Sequence, residues 1–401
     1  MSPSPPPAPP PSTSFTTTRL NATTFLITED DVYGERPFIY AKLHPHHPVL
    51  VLSDSGCAAP RHPSLSLTRL RTYLETYPVP CNRGRPLNPL SGKAGSTPRA
   101  EREYLVICTH CHYDHIGALE QFAPTSTPAT ATATVLASSG GRKFVEEDLP
   151  THSLCRFQEP PVPTPRYRVG YWADDNEELA YPFPARPSSA PAPTVATTAA
   201  AAAARAPTAA TSAAAAAAAA ATGRAGRLGI TILHTPGHTP DELAWYDAAE
   251  RWLYVGDSFY ERGAHAMPII FPAEGDWVAF GGSLARMLDF VRARNAEADE
   301  AEAGGRAGVG GEWVVVPRRV RIACGHATCD ADAEEILHAV TALFAAILQG
   351  SVPVVESRES RGEVVDLWME DKGEEEARFS VRAPRRLCEA ARERLGLSTT
   401  A

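Results

Sequence analysis

The sequence predicts an α/β protein in which sheets are sandwiched between helices, and three observations carry that expectation. Short β-rich runs separated by turn residues open the chain: "ATTFLITED" (22–30), "FIYAKL" (38–43) and "PVLVLSDSG" (48–56), an antiparallel start. "EYLVICTH" (103–110) is then a nearly continuous apolar strand, and Ile116, Leu119 and Phe122 fall on one side of a following helix. Later, "LGITILHTPGHT", "ELAWYD" and "RWLYVGDSFY" read as strands joined by tight turns, and "WVVVPRRVRIACGH" returns as one or two more. A helix follows over "DADAEEILHAVTALFAAILQG". Asp332 and Glu335 stand at capping-box spacing, Ile336, Val340, Leu343, Phe344 and Ile347 form its apolar face, and Gly350 stops it.

Composition bounds the function. The 401 residues carry a formal net charge of -9, which makes nucleic acid a poor default partner. No run of about 20 apolar residues escapes charge or proline, so no membrane span is expected. The start, "MSPSPPPAPPPSTSF", has neither a basic n-region nor an apolar h-region, and its prolines would break a transit-peptide helix. A cytoplasmic protein with reduced thiols is the expectation, since the eight cysteines do not form the framework of a small secreted domain.

One folded domain over 15–390 is expected, behind a proline-rich, disordered stretch at 1–14. Two low-complexity inserts should interrupt it, one alanine- and proline-rich at about 184–227, the other at about 294–312, beginning as a helical extension and ending in glycine. The segment 123–134 reads as a loop.

The chemistry concentrates in "THCHYDH". His110, His112, Asp114 and His115 crowd into six positions after a strand end. Imidazole nitrogen and carboxylate oxygen hold zinc and comparable metals, and a loop leaving a strand turns such side chains into one pocket. His238 in "HTPGHT", Asp257 in "VGDSF" and His326 in "ACGHAT" repeat the pattern singly, each at a strand end beside a glycine. Cys111 and Cys324 alternate away from the ligands and should pack. Tyr113 and Tyr260 are candidates for substrate contact or for core or rim packing, and "HPHH" (44–47) for a turn around Pro45. The apolar stretch 262–280 either lines a pocket or closes a sheet.

In order, "SDSG" with Asp54, "THCHYDH", "TPGHT", "GDS" and "CGH" make the chain resemble the metallo-β-lactamase-fold superfamily. That resemblance implies a four-layer αββα sandwich of two mixed sheets with metals at one edge. It implies that His110, His112 and His238 hold one metal, that Asp114, His115 and His326 hold the other, and that Asp257 bridges them. Asp54 would orient ligands by hydrogen bonds without coordinating. Two Zn2+ are the expected cofactors, with iron or manganese as alternatives. A cysteine stands at the position of Asp257 in dizinc β-lactamases, and nucleases of the superfamily insert a domain between the positions of Asp257 and His326. What remains resembles the glyoxalase II, lactonase and thioesterase branches. The implied activity is hydrolysis of an ester, thioester or lactone by a metal-bridging hydroxide, with Asp114 and Asp257 as catalytic candidates and a small carboxyl-derived molecule as substrate. An iron-dependent persulfide dioxygenase is the alternative, and a non-catalytic scaffold ranks last.

Overall fold

A computed structural model describes residues 11–92, 98–122, 133–183, 226–305, 319–370 and 377–397. The first sheet has seven strands. Phe15–Arg19, Thr24–Glu29, Phe38–Leu43 and Val49–Ser53 run antiparallel in succession. Glu103–Ile107, Ala133–Ser138 and Tyr171–Ala173 then continue in parallel. The second sheet, of six strands, orders Glu178–Tyr181, Gly226–His234, Leu243–Asp247, Trp252–Tyr254, Arg321–Ala323 and Ala331–Asp332. Only the pairing of Trp252–Tyr254 with Arg321–Ala323 is parallel in it.

The layering follows from the two-residue period of a strand. Val49 and Val51 face the second sheet, joining Ile107, Ile230, Ile232 and Trp245 in the inter-sheet core. Leu50 and Leu52 point the other way, onto Leu70, Tyr73 and Leu74 of the helix Leu70–Thr76. Likewise Leu233, Ala244 and Ile322 of the second sheet back onto Leu284 and Met287 of the helix Trp277–Gly305 and Ile336 and Val340 of the helix Ala333–Leu348. Helix, sheet, sheet, helix is the four-layer αββα sandwich that the sequence implies. In its centre Trp245 stacks on Tyr254 at 4.0 Å and donates to Ser53 Oγ at 3.0 Å, which satisfies the buried indole N–H.

Several boundaries move. The chain is tied down from Ser12 onward, ahead of the expected start at 15: Thr13 Oγ1 and Ser14 N both donate to Leu67 O. Residues 294–305, expected to open the second insert as a helical extension, lie in the helix Trp277–Gly305. Asn295 is buried there and accepts from Val320 N at 2.8 Å, and Ala298 is buried too. Residues 226 and 227 belong to a strand. The rest of both expected inserts, 184–225 and 306–312, lies outside the described residues, as do 1–10, 123–132 and the start, 313–318, of the expected strand run "WVVVPRRVRIACGH". Ile116, Leu119 and Phe122 are all buried, on one α-turn, Tyr113–Ile116, and a 3-10 turn, Leu119–Gln121, rather than one helix. The capping box at Asp332 is half made. Asp332 accepts from Glu335 N at 3.0 Å, but the Glu335 carboxylate is taken by Arg378.

A third sheet was not anticipated. Ile269–Ile270, Ser380–Pro384, Glu363–Met369 and Val354–Ser360 pair in that order, and Val381, Ala383 and Trp368 join the core beneath the helices of the second sheet. No helix among the described residues is long and apolar enough to cross a membrane.

Candidate metal centre

Five strands deliver the site from their C-terminal ends. Val49–Ser53 ends into Asp54, Glu103–Ile107 into the run His110–His115, Gly226–His234 into His238, Trp252–Tyr254 into Asp257, and Arg321–Ala323 into His326. Parallel neighbours therefore place their following loops side by side. Ser55 N donates to His115 O, Leu243 N to Thr109 O and Gly325 N to Gly256 O, which lock these loops to one another. A Cβ at Gly325 would lie 2.2 Å from Asp257 Oδ1, so only glycine lets the His326 loop pass so close.

The seven expected ligand residues form two groups, His110, His112 and His238, and Asp114, His115, Asp257 and His326. Within each group one nitrogen or oxygen of every residue lies within 4.8 Å of the others. His112 Nδ1 lies 3.0 Å from His110 Nε2 and 3.1 Å from His238 Nε2. His115 Nε2 lies 3.2 Å from Asp114 Oδ2 and 3.3 Å from Asp257 Oδ1, and His326 Nε2 lies 3.1 Å from Asp114 Oδ2. Asp257 stands between the groups, with Oδ2 3.4 Å from His326 Nε2 and 4.0 Å from His110 Nε2.

Whether these residues fit metal ions can be judged from their chemistry. One imidazole nitrogen cannot satisfy two others with a single proton or lone pair, yet His112 Nδ1 faces two. Three neutral imidazoles aiming lone pairs at a shared cation resolve the conflict. Burial holds them neutral: it pushes His112 down to about 3, with His238 adding to the effect, and His238 down to about 4. His110 is held well below its usual value by burial, with His115 and His112 beside it. In the second group burial opposes charge on His115 and His326, but Asp257 and Asp114 outweigh it and hold both imidazoles well above their usual value. Two buried carboxylates there demand positive charge, which a divalent cation supplies. The donor set fits a metal at each group.

The outer nitrogens of His115, His110 and His326 are held by hydrogen bonds, as ligating imidazoles require, while His112 Nε2 and His238 Nδ1 have no such partner among the described residues. Asp54 Oδ2 lies 3.0 Å from His115 Nδ1 and accepts from Thr109 Oγ1, whose oxygen lies 3.1 Å from His110 Nδ1. His326 Nδ1 donates to Glu35 O at 3.0 Å. Asp54 thus bonds the outer nitrogen of His115 and lies outside both ligand groups. Glu35 and Thr109 are additions. Glu35 also accepts from Tyr113 Oη, so Tyr113 is held at the rim.

Other expectations resolve. Cys111 and Cys324 are buried, Cys324 within the apolar core. The "HPHH" segment is a turn: His44 Nδ1 accepts from His46 N and His47 N, and Nε2 donates to Leu228 O. The stretch 262–280 does both jobs offered for it. Ile269 pairs into the third sheet and Trp277 and Phe280 enter the core, while Met267, Ile270 and Phe271 line a cavity of about 260 Å³ that opens onto His112, His238, Asp114, Asp257 and His326.

Residues 105–299 match the family model of the metallo-beta-lactamase superfamily. The αββα layers and the ordered ligand residues agree with that match. Over 341 residues the chain is 28% identical to an Aspergillus versicolor protein named "Putative transcription factor avaE", covering 85% of this chain and 78% of that one. Among solved structures it is similar to an archaeal metallo-beta-lactamase superfamily protein from Sulfolobus tokodaii, at 13% identity and a TM-score of 0.45, covering 85% of this chain and 93% of the other. It is also similar to the FIM-1 enzyme from Pseudomonas aeruginosa in its mono-zinc form, at 11% identity and a TM-score of 0.42, covering 86% and 99%.

Proposed function

We propose that the protein is a metal-dependent hydrolase of an ester, thioester or lactone, with His110, His112 and His238 holding one divalent ion, Asp114, His115 and His326 a second, and Asp257 shared. The observation that carries this reading is that both ligand groups meet at Asp257 on the floor of a cavity whose wall is apolar, with Met267, Phe271, Val365 and Pro384 along it. An acyl chain fits such a wall, and its carbonyl would then rest over the ligand residues. When bound, the metal ions supply Lewis-acid polarisation of a carbonyl and a supply of hydroxide at neutral pH.

The chain's own residues do the rest. Asp114 faces both the cavity and the imidazoles of His115 and His326, so its carboxylate takes the proton of the attacking water and returns it to the leaving oxygen or sulfur. Asp54, Thr109 and the Glu35 carbonyl keep His115, His110 and His326 in the tautomers that turn Nε2 inward. Tyr260 packs against His326 with ring centroids 5.5 Å apart and closes that side of the cavity to water. No serine or cysteine nucleophile is needed. Zinc in the cytoplasm is the setting we assign.

A panel of thioesters, lactones and aryl esters, run beside glutathione persulfide with oxygen uptake recorded, tests the reading. Hydrolysis lost on chelation and restored by zinc is expected. Oxygen consumption by iron-loaded protein with no hydrolysis across the panel would replace it with the dioxygenase.

A further inference from the structure

The cavity is not enclosed by the sandwich alone. Its outer wall comes from the third sheet, where the antiparallel pair Val354–Ser360 and Glu363–Met369 turns at Arg361 and Gly362. Arg361 has a positive φ of 53° and Gly362 one of 79°, the two left-handed residues of a tight hairpin turn. From this tip the Arg361 guanidinium reaches across to lie 4.2 Å from the centre of the Phe157 ring, on the 3-10 turn Cys155–Phe157 of the first half of the chain. The hairpin thus arches over the mouth of the cavity.

Its charges are unevenly paired. Arg382 is engaged by Glu356 at 3.1 Å, Arg385 by Asp366 at 2.7 Å and Arg386 by Glu363 at 2.9 Å. Arg358 and Arg361 also line the cavity, are exposed, and among the described residues make no ion pair. Stacking Arg361 on a ring face leaves its in-plane N–H donors free, the edge that engages an oxyanion. Of the carboxylates beside them on the cavity lining, Glu363 accepts from Arg386 through Oε1 and Glu35 accepts from Tyr113 Oη. An acidic chain has placed two uncompensated guanidinium groups beyond the apolar wall, at the opposite end from the ligand residues.

The geometry points to a substrate with an anionic end, carboxylate or phosphate, bound by Arg358 and Arg361 while its apolar middle lies along Phe271 and Val365 and its scissile carbonyl reaches Asp114 and Asp257. This rests on the hydrolase reading for the position of the carbonyl. The arginines are specificity-determining residues and touch no reacting atom.

The test compares the 4-nitrophenyl ester of hexanoic acid with the mono-4-nitrophenyl ester of adipic acid, and with an ester of equal length ending in phosphate, on the full zinc-loaded chain. An anionic ester should have a kcat/KM about tenfold or more above the neutral one at low ionic strength, with the ratio falling in high salt. Whichever of carboxylate and phosphate gives the larger ratio identifies the group. In Arg358→Gln with Arg361→Gln the ratio should fall to within about twofold of unity. A merely structural role would depress both esters together and leave the ratio standing. Calorimetric binding of the corresponding non-hydrolysable amides to wild type and double variant separates the two claims. Preferential binding of the anionic amide, lost in the double variant, upholds the anion site even if no ester is cleaved. Equal binding of neutral and anionic amides, or a preference that survives the double substitution, overturns it.

Discussion

Asp54 Oδ2 lies 3.0 Å from His115 Nδ1 while Asp54 Oδ1 accepts from Thr109 N at 2.8 Å, so one carboxylate in a left-handed backbone conformation, φ 63°, holds the His110–His115 loop at both of its ends. In Asp54→Asn one amide oxygen can still accept from Thr109, but the NH2 group meets the N–H of His115. The variant should fold and bind metal about 10–100-fold more weakly, measured by competition against a chromophoric chelator.

Gly325 tests the close approach of the His326 loop to Asp257 and His115. In Gly325→Ala the new methyl group would lie 2.2 Å from Asp257 Oδ1 and 2.8 Å from His115 Cε1. The expected result is a loss of metal affinity of at least about tenfold, seen by elemental analysis after dialysis, with far-UV circular dichroism unchanged.

Lys42 Nζ lies 2.6 Å from Asp247 Oδ2, and both side chains are fully buried. Burial pushes Asp247 up from the ordinary carboxylate range while Lys42 opposes it. Lys42→Met strands the carboxylate and should cost about 3–5 kcal/mol in urea unfolding. Adding Asp247→Asn, which keeps the acceptor for Ala249 N and removes the charge, should recover most of that loss.

His44 sets an acid sensitivity. Burial pushes it down to about 4, although its bond to the Leu228 carbonyl opposes the shift, and Nδ1 accepts two backbone amides. The folded state therefore prefers the neutral ring. Between about pH 6.5 and 4 the unfolded chain binds the extra proton, so this contribution is present above pH 6.5 and is lost as pH falls toward 4. Its size is at most about 3 kcal/mol. His44→Asn supplies an acceptor for the same amides without a titrating ring, and its unfolding free energy should fall less between pH 7 and 4 than that of wild type.

The site was legible because its chemistry is concentrated in rare residue types at strand ends. Four potential ligands follow one apolar strand, and His238, Asp257 and His326 each stand beside a glycine. Asp54 was legible from its place in "SDSG". Glu35 was not, since it serves His326 through its backbone carbonyl across 291 positions, and a carbonyl leaves no mark on sequence. The third sheet was missed for a different reason. Val354–Ser360 is exposed nearly throughout, so "VVESRES" lacks the in-and-out alternation that announces a strand. The burial of Asn295 and Ala298 was not legible, because their alanine- and glutamate-rich run resembles a linker and Asn295 is held by Val320 N, a contact between segments.

The central claim is that two groups of ligands joined at Asp257 hold two metal ions, and elemental analysis of natively purified protein tests it most directly. The account predicts about two divalent transition-metal ions per chain, with both diminished in Asp257→Ala because the shared ligand is gone. No more than trace metal in the wild-type protein, or an Asp257→Ala variant that retains both ions, would contradict it.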